Sequence, residues 1–140
     1  MGNLRRVLAG TLLALLLVAC GSPTSSSKTL EEHLLSFTGA GALNCGRLGR
    51  TASAEEMNAA LACALEAASR GRAFSAVREY QGIDSAVAEG LVARSAEPVS
   101  MFTYDSAPCG RPGGCAESFV TRPCATPHVT TRGSTTAFAC

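Results

Sequence analysis

The residues best equipped to do chemistry in this chain are its seven cysteines, Cys20, Cys45, Cys63, Cys109, Cys115, Cys124 and Cys140. A thiol can ligate zinc, attack an electrophile as its thiolate, or pair as a disulfide, and motif and spacing separate these roles. No C-x-x-C occurs, and the two histidines, His33 and His128, complete no zinc-ligating motif with the cysteines. No metal or cofactor is therefore expected. Serine-nucleophile catalysis would have to recruit one of the same two histidines, and no G-x-S-x-G turn is present to hold the nucleophile. The carboxylates Glu79, Asp84, Glu89, Asp105 and Glu117 are spread over the second half of the chain. A glycosidase pair would need two of them to converge across a cleft, and these five read instead as exposed strand faces and turn caps.

The position of the first cysteine separates it from the other six. Arg5 and Arg6 supply a positive start, and residues 7–18 form an uncharged apolar run of the length an export signal uses. A membrane-spanning helix would need about 20 apolar residues. Leu17, Val18, Ala19 and Cys20 follow in order. This quartet resembles the lipobox of bacterial lipoproteins, in which two aliphatic or small residues and a small residue precede an invariant cysteine. The resemblance implies that the chain is cut between Ala19 and Cys20, that the Cys20 thiol carries diacylglycerol, and that the new amino terminus is acylated. Several chains are needed for a durable anchor, because each buried CH₂ contributes about 0.8 kcal/mol and a single myristoyl-length chain holds only marginally. Met1-Gly2 does not make a myristoylation start, since Arg6 stands where that signal carries serine or threonine. Gly21 is not the aspartate that retains such proteins at an inner membrane, so an outer membrane is the favoured address in a cell that has one.

With Cys20 assigned to lipid, an even six remain for three disulfides, in the oxidising compartment that an export signal implies. Six cysteines allow 15 pairings. Proximity along the chain favours Cys45 with Cys63, Cys109 with Cys115 and Cys124 with Cys140. The middle pair has further support from Gly110, Arg111, Pro112, Gly113 and Gly114, residues suited to a tight closed loop. Arg111 at its apex is the one side chain in that loop able to present a charge to a partner.

Composition narrows the partners. The sequence is 46% hydrophobic but only 5% aromatic, with no tryptophan, so its core is small and gains from covalent staples. Removal of residues 1–19 takes away Arg5 and Arg6, leaving ten basic against eleven acidic residues. A near-neutral chain with no basic run is unsuited to nucleic acid, where phosphate neutralisation supplies most of the affinity.

The elements that must position these residues are legible in outline. Residues 22–27, Ser-Pro-Thr-Ser-Ser-Ser, read as a flexible tether. Thr29 and Glu32 form a capping box for a short helix with Leu30, Leu34 and Phe37 on one face, which leaves His33 to solvent. Residues 45–49 read as a glycine-bearing turn. Ser53 and Glu56 cap the main helix, which ends before Gly71 and presents Met57, Ala60, Leu61, Ala64, Leu65 and Ala68 on one side, with Cys63 at its border. Strand-like stretches follow at 74–81, 83–93, 99–105 and 118–122, and the threonine-rich tail reads as loop or edge strand held by Cys140.

The expected fold is thus α+β, one main helix at about residues 54–70 packed on a small antiparallel sheet of three to four strands and stapled by disulfides. The expected organisation is a signal peptide over 1–19, the lipidated Cys20 with its tether over 20–28, and a single domain over 29–140. The expected role is a non-catalytic binding or envelope-structural module held to the membrane by its lipid, with an envelope protein as a partner. The alternatives are a small hydrolase or protease inhibitor acting through the 109–115 loop, and an enzyme with a carboxylate site that its motifs do not reveal.

Overall fold

The computed structural model describes residues 27–110 and 115–140. In chain order the elements are α1 (Leu30–Thr38), β1 (Leu43–Leu48), α2 (Ala54–Ser69), β2 (Phe74–Gln81), β3 (Ala86–Ala93), β4 (Ser100–Asp105), β5 (Ser118–Pro123), β6 (His128–Arg132) and β7 (Thr135–Ala139). Strands β1 to β5 lie side by side in sequence order in one sheet, and β6 and β7 form a separate hairpin. The pairing of β1 with β2 is parallel, and the other pairings are antiparallel.

This architecture corrects the expectation of one helix on three to four antiparallel strands. The sheet is mixed and has five strands, a two-stranded sheet adds to it, and two helices pack against them. The segment expected to be a turn at Cys45 is strand β1. Its glycine serves a bulge: the register with β2 shifts between Asn44 and Arg47, Gly46 sits at φ 131°, and its amide donates to Asn44 Oδ1 at 2.9 Å. A bulge absorbs an extra residue and bends the strand, and glycine accepts the positive φ without a Cβ penalty. The threonine-rich tail, expected as loop or edge strand, is strand, paired on itself as a hairpin. Its two-residue turn is Gly133-Ser134 with Gly133 at φ 60°, and Thr136 and Phe138 turn inward.

Both helices begin as the capping boxes require. Thr29 Oγ1 accepts from the Glu32 amide at 3.3 Å while the Glu32 carboxylate accepts from the Thr29 amide at 2.6 Å. Ser53 and Glu56 repeat the exchange at 3.2 and 2.7 Å. Each box satisfies two amides that the first helical turn leaves without partners. At the far end of α2, Gly71 adopts φ 63° and closes the helix.

The five-stranded sheet is covered on both faces. On one, Met57, Ala60, Ala64 and Ala67 of α2 meet Phe74, Ala76, Leu91 and Met101 of the sheet and Phe138 of the hairpin. On the other, Leu30 and Leu34 of α1 meet Val77, Ala88, Val92, Phe102 and Tyr104, with Phe37 and Phe119 at the margin. The buried stripe of α2 is rotated from the one its apolar residues suggest. Ala67 is buried and Leu65 is 42% exposed. Two alanines at that point bring the helix against the sheet, and the larger Leu65 would hold it away.

The six cysteines of the domain are joined as Cys45–Cys63, Cys109–Cys115 and Cys124–Cys140. The first ties β1 to the middle of α2, the second closes the connection from β4 to β5, and the third fixes the chain end beside the end of β5.

Two changes test this packing. Gly90 in β3 has no room for a methyl group: a Cβ there would overlap the Ala76 carbonyl oxygen and stand 2.7 Å from Phe102 Cε1. Gly90→Ala should lower unfolding free energy by roughly 2–3 kcal/mol, measured by chemical denaturation, and an unchanged midpoint would contradict the close approach of β2 and β3. Replacing Cys45 and Cys63 together by serine opens a loop spanning 18 residues of separation. That variant should lose about 3 kcal/mol in the same assay.

Candidate functional site

The parallel pair β1 and β2 ends at Leu48 and Gln81, at the same edge of the sheet. The loop that carries the chain from β1 into α2 passes beside the end of β2. Two clefts open there. The first, about 530 Å³, lies on the α1 face between the start of α1 and the ends of β2 and β3, and includes Leu30, Glu31, Arg47, Glu79, Ala88 and Tyr104. The second, about 940 Å³, lies on the α2 face between the ends of β2 and β3 and the hairpin turn, and includes Thr51, Arg78, Glu89, Ser134 and Thr135. Both are lined by Arg50, Tyr80 and Gln81, so they adjoin across the end of β2.

Strand alternation distributes the charges. Successive side chains of Arg78-Glu79-Tyr80 point to opposite faces, so Glu79 enters the first cleft wall while Arg78 joins the face that also holds Phe74 and Ala76. In the first cleft Arg47 bridges Glu31 of α1 and Glu79 of β2, with its Nε donating to Glu79 Oε1 at 2.8 Å. The Glu79 carboxylate beside it, and then Glu31, hold the Arg47 guanidinium above its ordinary pKa. Glu31 sits below the usual carboxylate range, chiefly because a backbone amide of the first helical turn donates to it, with Arg47 adding to the effect. Burial pushes the Tyr104 phenol up, and its hydroxyl donates to the Lys28 carbonyl at 3.3 Å.

In the second cleft Arg78 is only 6% exposed. Its Nη1 donates to Glu89 Oε1 at 3.1 Å, directly across the β2–β3 ladder, and its guanidinium carbon lies 5.1 Å from the centre of the Tyr80 ring. Burial, and then the charge of Glu89, raise the Tyr80 pKa. Arg50 is exposed at the junction of the clefts and makes no ion pair among the described residues.

A third cluster fastens the point where the chain enters the domain. Glu117 accepts from the Lys28 amide and from the Ser27 hydroxyl, both at 2.8 Å, and His33 Nε2 lies 3.4 Å away. His33 corrects the expectation of an exposed histidine: its side chain is 19% exposed and stacks on Phe119 at 5.0 Å between centroids. The backbone amide of Lys28, then the Ser27 hydroxyl, depress the Glu117 carboxyl to a pKa of about 2.

Of the residues singled out by sequence, the six paired cysteines are structural ties. Ala19, Cys20 and Arg111 lie outside the described residues, although the disulfide that closes the 109–115 loop is formed. The five scattered carboxylates do not assemble into a facing pair. Glu79 and Glu89 lie on opposite sides of the sheet, Glu117 serves the chain entry, and Asp105 caps the Ala107 amide at 2.9 Å. Sequence reasoning passed over Arg47, Arg50, Arg78 and Tyr80. A charged residue continuing the face of Phe74 and Ala76 was the available signal for Arg78.

The Glu117 cluster makes acid stability testable. Because its folded pKa lies below the ordinary 4.5, the carboxylate stabilises the fold at pH values above about 4.5, and that contribution is lost as pH falls toward about 2. Wild type should therefore lose stability more steeply than Glu117→Gln over this interval in thermal unfolding scans, and parallel curves would remove Glu117 from the account. Comparison with family models, with characterised proteins and with solved structures finds no match for the chain.

Proposed function

We propose that this chain is a bacterial lipoprotein, anchored to an envelope membrane through Cys20, whose folded part is a non-catalytic binding module. The address rests on the basic, apolar and Leu17-Val18-Ala19-Cys20 sequence of the leader. Among the described residues no helix is long and apolar enough to cross a membrane.

The observation that favours binding over catalysis is the pairing of charges in the two clefts. A general acid or base needs a carboxyl or imidazole free to exchange its proton near the working pH. Here Glu31 and Glu79 are both ion-paired with Arg47 and Glu89 with Arg78, and Glu31 lies below the usual carboxylate range, chiefly through a backbone amide. Groups arranged this way fix the shape and polarity of a wall. The clefts then serve to hold a ligand against a wall whose charged groups are already paired, and such preorganisation lowers the cost of binding.

Detergent phase partition followed by intact-mass measurement of protein from a bacterial host tests the anchor. Wild type should enter the detergent phase with the mass of residues 20–140 plus diacylglycerol and fatty acyl groups, less six hydrogens for three disulfides. Cys20→Ala should remain in the aqueous phase. Equal partition of the two proteins, or an unmodified Cys20, would overturn the reading.

A further inference from the structure

We infer that the larger cleft is a binding site for a hydroxylated oxyanion of the acidic-sugar class, a carboxylate or phosphate carried on a polyol, received by Arg78 and Arg50. The inference deepens the binding-module reading and rests on it.

Arg78 is placed at a cost that the fold alone does not repay. It continues the face on which Phe74 and Ala76 pack, a position where an apolar side chain would extend the core. A guanidinium carries five N–H donors, yet among the described residues the Arg78 side chain makes one hydrogen bond, to a single oxygen of Glu89, and its Nε is buried with no acceptor. A buried donor left without an acceptor forfeits the hydrogen bond it would make to water. An oxyanion in the cleft that Arg78 lines would give the terminal nitrogens of the guanidinium, rather than its buried Nε, further acceptors, in surroundings where charge-assisted bonds are strong.

The rest of the lining selects the ligand. Glu89 neutralises Arg78, so Arg50 leaves the cleft with one net positive charge, which suits a single anionic group. The hydroxyls of Thr51, Tyr80, Ser134 and Thr135 and the amide of Gln81 both donate and accept, and they suit a ligand that carries hydroxyls of its own. The cleft lies on the α2 face near the carboxyl ends of β1 and β2, between the loop from β1 to α2 and the hairpin turn.

Calorimetry and saturation-transfer NMR on the full detergent-solubilised protein test the site, with galacturonate, glucose 6-phosphate and neutral glucose as probes. At least one of the two anions should bind, about tenfold or more tighter than glucose, and the stronger arm tells carboxylate from phosphate. Arg50→Ala alters only an exposed side chain and should weaken that anion about five- to tenfold. Glu89→Gln should strengthen it, because the competing carboxylate is gone. Failure of both anions to bind, glucose binding equally well, or either variant leaving the affinity unchanged overturns the inference. If the anions fail while the protein still carries lipid on Cys20 and three disulfides, the site is lost and the anchored module stands. If they bind a protein whose Cys20 is unmodified, the anchor is lost and the site stands.

Discussion

The parallel seam between β1 and β2 is the constraint on which the rest of the molecule depends. Two parallel neighbours cannot be joined by a tight turn, so the chain must leave the sheet, run the length of α2 and return. That detour puts a helix on one face and lays the loop around Arg50 and Thr51 beside the end of β2, where both clefts form. The seam is short and interrupted by a bulge, and two devices reinforce it. Ala60, Ala64 and Ala67 let α2 approach the sheet closely, and Cys45–Cys63 bonds the strand to the helix that crosses it. Close packing of small side chains gains dispersion contacts that a core without tryptophan would otherwise lack.

The remaining covalent ties act at the opposite side of the sheet. Strand β5 is an edge, and the chain beyond it must turn back to cover the α2 face with the β6–β7 hairpin. A lone hairpin is marginal in water. Cys124–Cys140 anchors it at both its entry and its end, while Phe138 and the partly buried Val129 seat it against the core shared with α2. The hairpin turn thereby becomes a wall of the larger cleft. Stability and site are linked through the same short segment.

Charge is partitioned by the pleat. Arg78, Glu79 and Tyr80 are consecutive, yet they serve different layers, because each step along a strand reverses the direction of the side chain. One arginine-carboxylate network ties α1 to the sheet through Arg47, and another lies across the β2–β3 ladder through Arg78 and Glu89. The first is half-exposed, so its contribution is screened by water. The second is largely buried, where an incompletely satisfied guanidinium is a costly feature for a fold to keep.

Local chemistry in the sequence determined the helix starts and the antiparallel strands. The two capping boxes, the glycine after α2 and the strand stretches over 74–81 and 99–105 depend on residues within a few positions of one another, and they correspond to α1, α2, β2 and β4 with small shifts at their ends. The three cysteine pairs follow proximity along the chain, with separations of 18, 6 and 16 residues, and only the middle one was marked by local chemistry, the glycines and proline of its loop. Strand β1 was hidden because its pairing partner lies beyond an entire helix and its glycine, needed for the bulge, imitates a turn. The tail was legible only as loop or edge strand, because threonines on a strand look like loop until one face is buried. His33 and Leu65 exchanged their expected environments because helix periodicity defines a face, whereas the height and rotation at which that face meets the sheet are set by packing. The clefts lie wholly on the tertiary side of this division: they join residues from α1, the β1–α2 loop, β2, β3 and the hairpin, and only the long-range parallel closure brings those segments to one edge.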